Sequence, residues 1–270
     1  MPYVNVNSVR LYYELHGDGF PLVLLHGGEG NSGSWHKQTP VFARAFKVLL
    51  VDERGFGRSS APPCDYDRFT IARDILGLLE ALGMPRVFLL GYSMGGATAL
   101  RTALLAPQRI AALLVSGCGA TWRVSDGFRQ RLIQALTWAE AEGCGALFER
   151  LFAASVFSET FRAEYPEEVR RYRGICDENS ATAWVVRMRE DLSLTPGDIT
   201  ARLREIRMPT RLLCGEHDYN RPRVESVHRH LPASDLHILP GAAHGAFYEQ
   251  PERFNELALE FFLSHLPGVS

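Results

Sequence analysis

Three residues with complementary chemistry, Ser93, Asp218 and His244, each stand just past a short apolar run. A serine hydroxyl is a weak nucleophile at neutral pH, so a neighbouring base must take its proton as the new bond forms. Histidine suits that task because an unperturbed imidazole, with a pKa of about 6.5, is largely neutral at pH 7. An aspartate on the other ring nitrogen fixes the tautomer and stabilises the imidazolium as it appears. The set points to nucleophilic attack on an acyl group, with Ser93 as nucleophile, His244 as base and Asp218 as the acid that orients it.

The elements that must hold these groups are written around them. Val87-Phe88-Leu89-Leu90 reads as a strand, Gly91-Tyr92-Ser93-Met94-Gly95 follows, and an Ala- and Leu-rich helical segment comes next. Strand, Gly-x-Ser-x-Gly and helix in that order describe a nucleophile elbow, a strained turn that lifts the serine hydroxyl clear of the sheet. Small residues are needed because the two backbones approach closely, and the first N–H groups of the helix face any negative charge that develops beside the serine. One oxyanion donor is therefore expected to be the N–H of Met94, and a second is expected from the loop after the run 22–25. No other acid is on offer after the run 111–116, which passes into Gly117, Cys118 and Gly119.

Taken together these motifs resemble the α/β-hydrolase family over almost the whole chain. The resemblance rests on the elbow and on the chain order Ser, Asp, His. It also rests on His26-Gly27-Gly28, on Asp52-Glu53-Arg54-Gly55-Phe56-Gly57-Arg58-Ser59, and on a tail from His244 that includes Glu249, Pro251, Glu252 and Phe254. It implies an α/β fold, a mostly parallel central sheet with helices on both faces. It also implies Gly28 as the second oxyanion donor, His26 as a brace of that loop, and the Asp52 to Ser59 stretch as a turn beneath the site.

The wider pattern fits. Residues 3–6 and 9–14 read as an antiparallel pair joined by Asn7 and Ser8. Short apolar runs at 22–25, 47–51, 87–90, 111–116, 211–214 and 236–239 then alternate with longer helical segments. Such alternation predicts a parallel sheet, whose ligands bind outside the carboxyl ends of the strands. Ser93, Asp218, His244 and Gly28 all fall there. The alternation breaks between the fourth and fifth parallel strands, where 128–141 and 167–172 look helical and no strand is evident. A helical cap over 121–207 is expected, set into a core of 1–120 and 208–270. Its aromatics are Trp122, Phe128, Trp138, Phe148, Phe152, Phe157, Phe161 and Trp184, most of them expected to pack the cap itself and a minority to line a pocket. Its arginines, among them Arg123, Arg129, Arg162, Arg187 and Arg189, read as a solvated face, which leaves a pocket charged only by the triad. An inward arginine would overturn that.

Composition narrows the partners. The chain has 270 residues, 46% hydrophobic and 22% charged, enough for one elaborated domain, and its net charge of -2 leaves no basic footprint for nucleic acid. No stretch is long and apolar enough to span a bilayer and no secretory signal is visible. Five scattered cysteines without Cys-x-x-Cys spacing suggest thiols in a reducing compartment, hence a cytoplasmic location. His228, His230 and His237 lack acidic or cysteine partners at ligand spacing, so no metal is expected. The glycines of 27–33 end in no Gly-Lys-Ser/Thr and form no Gly-x-Gly-x-x-Gly, so neither a phosphate loop nor a dinucleotide site follows. No cofactor is expected. The partner is a small-molecule substrate, and oligomeric state is left open.

The leading expectation is a serine hydrolase that cleaves a carboxylic ester or similar acyl compound through an acyl-enzyme, favouring an uncharged, small to medium apolar acyl group. The resemblance offers two alternatives. Carbon–carbon hydrolases of the meta-cleavage-product type typically carry Asn before the nucleophile and Trp after the histidine, where this chain has Tyr92 and Gly245. Proline-releasing aminopeptidases typically carry Trp after the nucleophile and Pro where Glu29 stands. Relatives that use an Asp nucleophile are excluded by Ser93. A non-catalytic binding protein of the same fold is the alternative of another class.

Overall fold

The computed structural model describes residues 2–121, 126–193 and 197–267. Trp122, Arg123 and the side chain of Phe128 lie outside the described residues. Eight strands form one sheet in the order β1-β2-β4-β3-β5-β6-β7-β8. They are β1 (Tyr3–Val6), β2 (Val9–His16), β3 (Phe20–Leu25), β4 (Phe46–Val51), β5 (Val87–Tyr92), β6 (Ile110–Ser116), β7 (Thr210–Gly215) and β8 (Ser234–Leu239). The expected hairpin is present: Val6 pairs with Val9, and Asn7 and Ser8 both take positive φ, 44° and 66°. A two-residue loop of type I′ requires that backbone. β2 meets β4 antiparallel, and every pairing from β4 to β8 is parallel.

Alternating side chains of a sheet covered on both faces feed two separate cores. Val23, Leu25, Leu49, Val51, Leu89 and Leu113 join one cluster, and Leu22, Leu24, Val48, Leu50, Phe88 and Leu90 join the other. The helices close over these faces. In chain order they are α1 (Thr39–Phe42), α2 (Arg68–Ala81), α3 (Met94–Leu105), α4 (Asp126–Leu147), α5 (Ala153–Val156), α6 (Glu159–Glu164), α7 (Pro166–Asp177), α8 (Ala181–Ser193), α9 (Arg221–His230), α10 (Ala246–Glu249) and α11 (Pro251–Leu263). α2 and α3 supply Ile75, Leu78, Leu100 and Ala103 to the first cluster; α11 supplies Phe254, Phe261 and Phe262 to the second.

Between β6 and β7 the described residues are helical, from α4 to α8 and a short 3-10 segment, with no strand. α4 bends at Gly143, whose φ is +85°, and is followed by a π-type turn at Phe148–Phe152. Because β3 lies between β4 and β5, strand order reverses there and the loops leaving β3 and β5 part. A crevice opens at such a point, beyond the carboxyl ends of the strands. No described helix is long and apolar enough to cross a membrane.

Candidate active site

β5 ends at Tyr92 and α3 begins at Met94, so the reversal of direction falls on Ser93, with φ 51° and ψ -111°. Such a backbone costs a non-glycine residue on the order of 1–3 kcal/mol and persists only where its surroundings fix it. Here the Ser93 N–H donates to the Ser116 carbonyl at 2.8 Å and the Gly95 N–H to the His26 carbonyl at 3.0 Å. The close approach explains the glycines. A Cβ on Gly91 would fall 2.3 Å from the Gly95 carbonyl oxygen, and one on Gly95 would fall 2.3 Å from that of Leu25.

Ser93, Asp218 and His244 come together from three strand ends. His244 Nε2 lies 2.9 Å from Ser93 Oγ, and Nδ1 lies 2.9 Å from Asp218 Oδ1. Asp218 Oδ1 also accepts the Asn220 N–H at 2.7 Å, and the Cys214 thiol points at Oδ2 from 3.6 Å. Burial opposes ionisation of Asp218, yet the charge and hydrogen bond of His244 hold its pKa below the ordinary value. Burial likewise opposes a charged His244, but the Asp218 carboxylate, its hydrogen bond and the more distant Glu29 charge outweigh it and raise the imidazole pKa. The ring is flanked by Tyr92 and Tyr219, with centroids 5.0 and 4.6 Å away. Its loop is tied down by Glu249, which accepts the Ala243 N–H at 2.8 Å and the Ser158 hydroxyl at 2.5 Å.

Gly28 and Met94 face each other beside Ser93: a Cβ built on Gly28 would lie 3.4 Å from Met94 Sδ. Neither N–H has a hydrogen-bond acceptor among the described residues. The loop that carries Gly28 is braced on both sides. His26 Nδ1 bonds the Gly27 carbonyl at 2.8 Å while Nε2 accepts the Glu53 N–H at 3.1 Å, which leaves its ring no proton to exchange with the site. Asp52 accepts the N–H groups of Ser32 at 2.7 Å and Arg58 at 2.9 Å, and so fastens the turn expected beneath the site. From the helical side, Asn179 Nδ2 donates to the carbonyls of Glu29 and Gly30. His217 is exposed and takes no part. His228 and His230 bond Ser234 and the Ser226 carbonyl, and no group of three metal-ligating side chains gathers among the described residues.

The triad opens on a pocket whose apolar wall includes Leu132, Phe152, Val156, Trp184 and Met188. Phe148, Phe157 and Phe161 instead pack in the core, so the aromatics divide as expected. The expectation of a pocket charged only by the triad is corrected: Glu29, Arg68, Arg101, Arg187 and Arg223 also line it. Arg187 is 1% exposed and does not lie on a solvated face. The reason is helical spacing. Arg187 and Met188 follow Trp184 by three and four residues, so on α8 they flank it on either side and the three span one broad inward face. Its guanidinium sits 4.9 Å from the Phe56 ring centroid. Sequence reasoning also passed over Tyr219, Asn220 and Asn179, whose only local signal was adjacency to Asp218 or a helix boundary. Cys118 lines the pocket too, but burial pushes its thiol up to about 12, so it is protonated and unreactive at neutral pH.

This geometry has known counterparts. A family profile described as alpha/beta hydrolase fold matches residues 21–251. The chain is 30% identical to the 2-hydroxy-6-oxononadienedioate/2-hydroxy-6-oxononatrienedioate hydrolase of Burkholderia vietnamiensis over 96% of this chain and 94% of that protein. It is 28% identical to the 2-hydroxy-6-oxo-6-phenylhexa-2,4-dienoate hydrolase of Burkholderia cepacia, over 95% and 92% of the respective chains. Among solved structures, a thermophilic esterase from Thermogutta terrifontis superposes with a TM-score of 0.87 at 26% identity, covering 98% of this chain and 97% of that one. With its eight-stranded, mostly parallel sheet and a profile match across most of its length, the chain belongs to the alpha/beta hydrolase fold family and is an enzyme of the hydrolase kind.

Proposed function

We propose that the chain cleaves a carboxylic ester through an acyl-enzyme on Ser93. The observation that carries the reading is the unbroken line from Ser93 Oγ through His244 to Asp218, with both links 2.9 Å. Ser93 Oγ attacks the carbonyl carbon while its proton passes to His244 Nε2. The carbonyl oxygen becomes an oxyanion between the Gly28 and Met94 N–H groups. Collapse of the tetrahedral intermediate breaks the bond to the alkoxy oxygen, which leaves with the proton held by His244. A water then attacks the acyl-enzyme, gives a proton to His244, and releases the acid as Ser93 recovers its own.

The helices α4 to α8 are read as a cap, residues 121–207 over a core of 1–120 and 208–270. The wall formed by Leu132, Phe152, Val156, Trp184 and Met188 suits a small to medium apolar acyl group. Five free cysteines accord with a cytoplasmic, reducing setting. A second reading, hydrolysis of a carbon–carbon bond in a vinylogous diketone, is favoured by the activities of the two Burkholderia relatives. Against it stand Tyr92 and Gly245 at positions that typically carry Asn and Trp.

The test is kcat/KM on one preparation for matched esters of increasing acyl length and for a vinylogous diketone, together with fluorophosphonate labelling of Ser93. Rapid labelling with ester turnover supports the proposal. A preference of roughly tenfold or more for the diketone promotes the second reading, and failure to label points to a binding protein.

A further inference from the structure

Among the described residues Glu29 is the one acidic side chain outside the triad that lines the pocket, and it is 8% exposed. It stands directly after Gly28. An ionised carboxylate can accept about four hydrogen bonds. Among the described residues a single side chain donates to this one, the Tyr172 hydroxyl, at 3.1 Å to Oε1. No basic side chain of the described residues forms an ion pair with it, whereas Asp52, Asp74 and Asp218, also buried near the site, are engaged; the Glu53 carboxylate, buried without a hydrogen-bond partner among the described residues, does not line the pocket. Asp52 takes two backbone N–H groups, Asp74 a two-pronged Arg54, and Asp218 the His244 ring.

Oε2 receives no donor from the described residues and is not closed off from the pocket, so a donor carried by a ligand can take the place of water there. We infer that Glu29 is a specificity-determining residue that accepts a hydrogen bond from a hydroxyl group carried by the substrate near its scissile carbonyl. This rests on the proposed ester reading and narrows its substrate class to hydroxylated esters.

A neutral donor is favoured over an ammonium group on charge grounds. The same pocket is lined by Arg68, Arg101, Arg187 and Arg223, so cationic side chains already stand along the wall that holds Glu29. A substrate cation would be set among like-charged guanidinium groups, whereas a neutral hydroxyl meets no such repulsion. These arginines also have work of their own: Arg101 donates to the Ala97 and Gly197 carbonyls, and Arg223 to Asn220 Oδ1. The wall beyond Glu29, from Leu132 to Met188, leaves the remainder of the acyl group apolar.

The experiment compares matched esters that differ by one hydroxyl beside the carbonyl, and a third that carries an ammonium group there. It measures kcat/KM in the wild type, Glu29→Gln and Glu29→Leu. It also measures dissociation constants for the same esters in the Ser93→Ala protein, with and without each Glu29 substitution. The wild type is expected to favour the hydroxy ester over the plain one by roughly tenfold to a hundredfold, as for a hydrogen bond to a charged group. Glu29→Gln, which keeps one acceptor oxygen, should retain a few-fold preference, and Glu29→Leu should abolish it while still cleaving the plain ester. No preference in the wild type, a preference that survives Glu29→Leu, or an equal loss on both esters would overturn the inference; the last outcome would mark Glu29 as a brace for the loop. A stronger preference for the ammonium ester would overturn the choice of a neutral donor. Selective binding without turnover would instead uphold Glu29 and sink the ester reading. Tyr172→Phe, which removes the protein's own donor, should leave the preference intact.

Discussion

Asp218→Asn removes one charge and little volume, and the structure indicates which consequence follows. Oδ1 accepts both the Asn220 N–H at 2.7 Å and the His244 ring at 2.9 Å, while Oδ2 faces only the Cys214 thiol at 3.6 Å. An amide that turned its NH2 group toward Asn220 would set donor against donor, so the amide oxygen stays at the Oδ1 position and the imidazole keeps its working tautomer. What is lost is the negative charge opposite the imidazolium. With charge centres about 4 Å apart and an effective dielectric constant near 20, the Coulomb energy is about 4 kcal/mol, or roughly a thousandfold in rate. The acid limb of the rate profile should also move. Activity needs a neutral His244, so it rises with pH through the pKa of that ring. Burial alone lowers this pKa, and the Asp218 charge and hydrogen bond raise it above the ordinary imidazole value. Removing the charge leaves burial opposed only by the amide hydrogen bond and by Glu29, so the limb shifts to lower pH while the plateau falls. The assay is kcat/KM for an activated ester from pH 5 to 9, with a fluorophosphonate titration to count active sites. A plateau above a tenth of the wild-type value would show that another carboxylate serves His244. An unmoved limb would refute the account of how its pKa is set.

Other outcomes follow from the same geometry. Ser93→Ala should lower turnover by several powers of ten with the melting temperature little changed, and chelators should leave the wild type unaffected; more than a tenth of normal activity would sink the nucleophile assignment. Gly95→Ala places a methyl group 2.3 Å from the Leu25 carbonyl oxygen, which must displace the elbow and the Met94 N–H. Activity should fall on the order of a hundredfold, and an unaltered kcat would contradict the packing described. Asp74→Ala strands the buried Arg54 guanidinium, now held through Nε at 2.5 Å and Nη2 at 2.8 Å. A loss of about 3–5 kcal/mol and roughly 10 °C in melting temperature is expected, and a loss below about 1 kcal/mol would show that the pair is not structural.

What the sequence determined is local or strictly ordered along the chain. The apolar runs at 22–25 and 87–90 lie within β3 and β5, because a strand buried on both faces needs near-continuous apolar residues. Asn7 and Ser8 place the hairpin because few residues accept two successive positive φ angles. The elbow glycines mark Ser93 because the approach of strand and helix is dictated by immediate neighbours in the chain. Asp218 and His244 were legible for a related reason, as polar residues that end apolar runs.

Tertiary structure alone decided what surrounds that triad. Tyr219 lies against His244, Asn179 reaches the Glu29 carbonyl across 150 positions of sequence, and Arg187 lines the pocket of Ser93 and is shut off from bulk water. Helical periodicity would have placed Arg187 on the face of Trp184 and Met188, but not said which way that face looks. That direction depends on how α8 packs on α4 and on the loop after β4. Glu29 shows the limit most plainly. Its position beside Gly28 is covalent and readable, whereas its shortage of donors depends on which side chains from distant segments come within about 3 Å, and that is set only when the whole chain has packed.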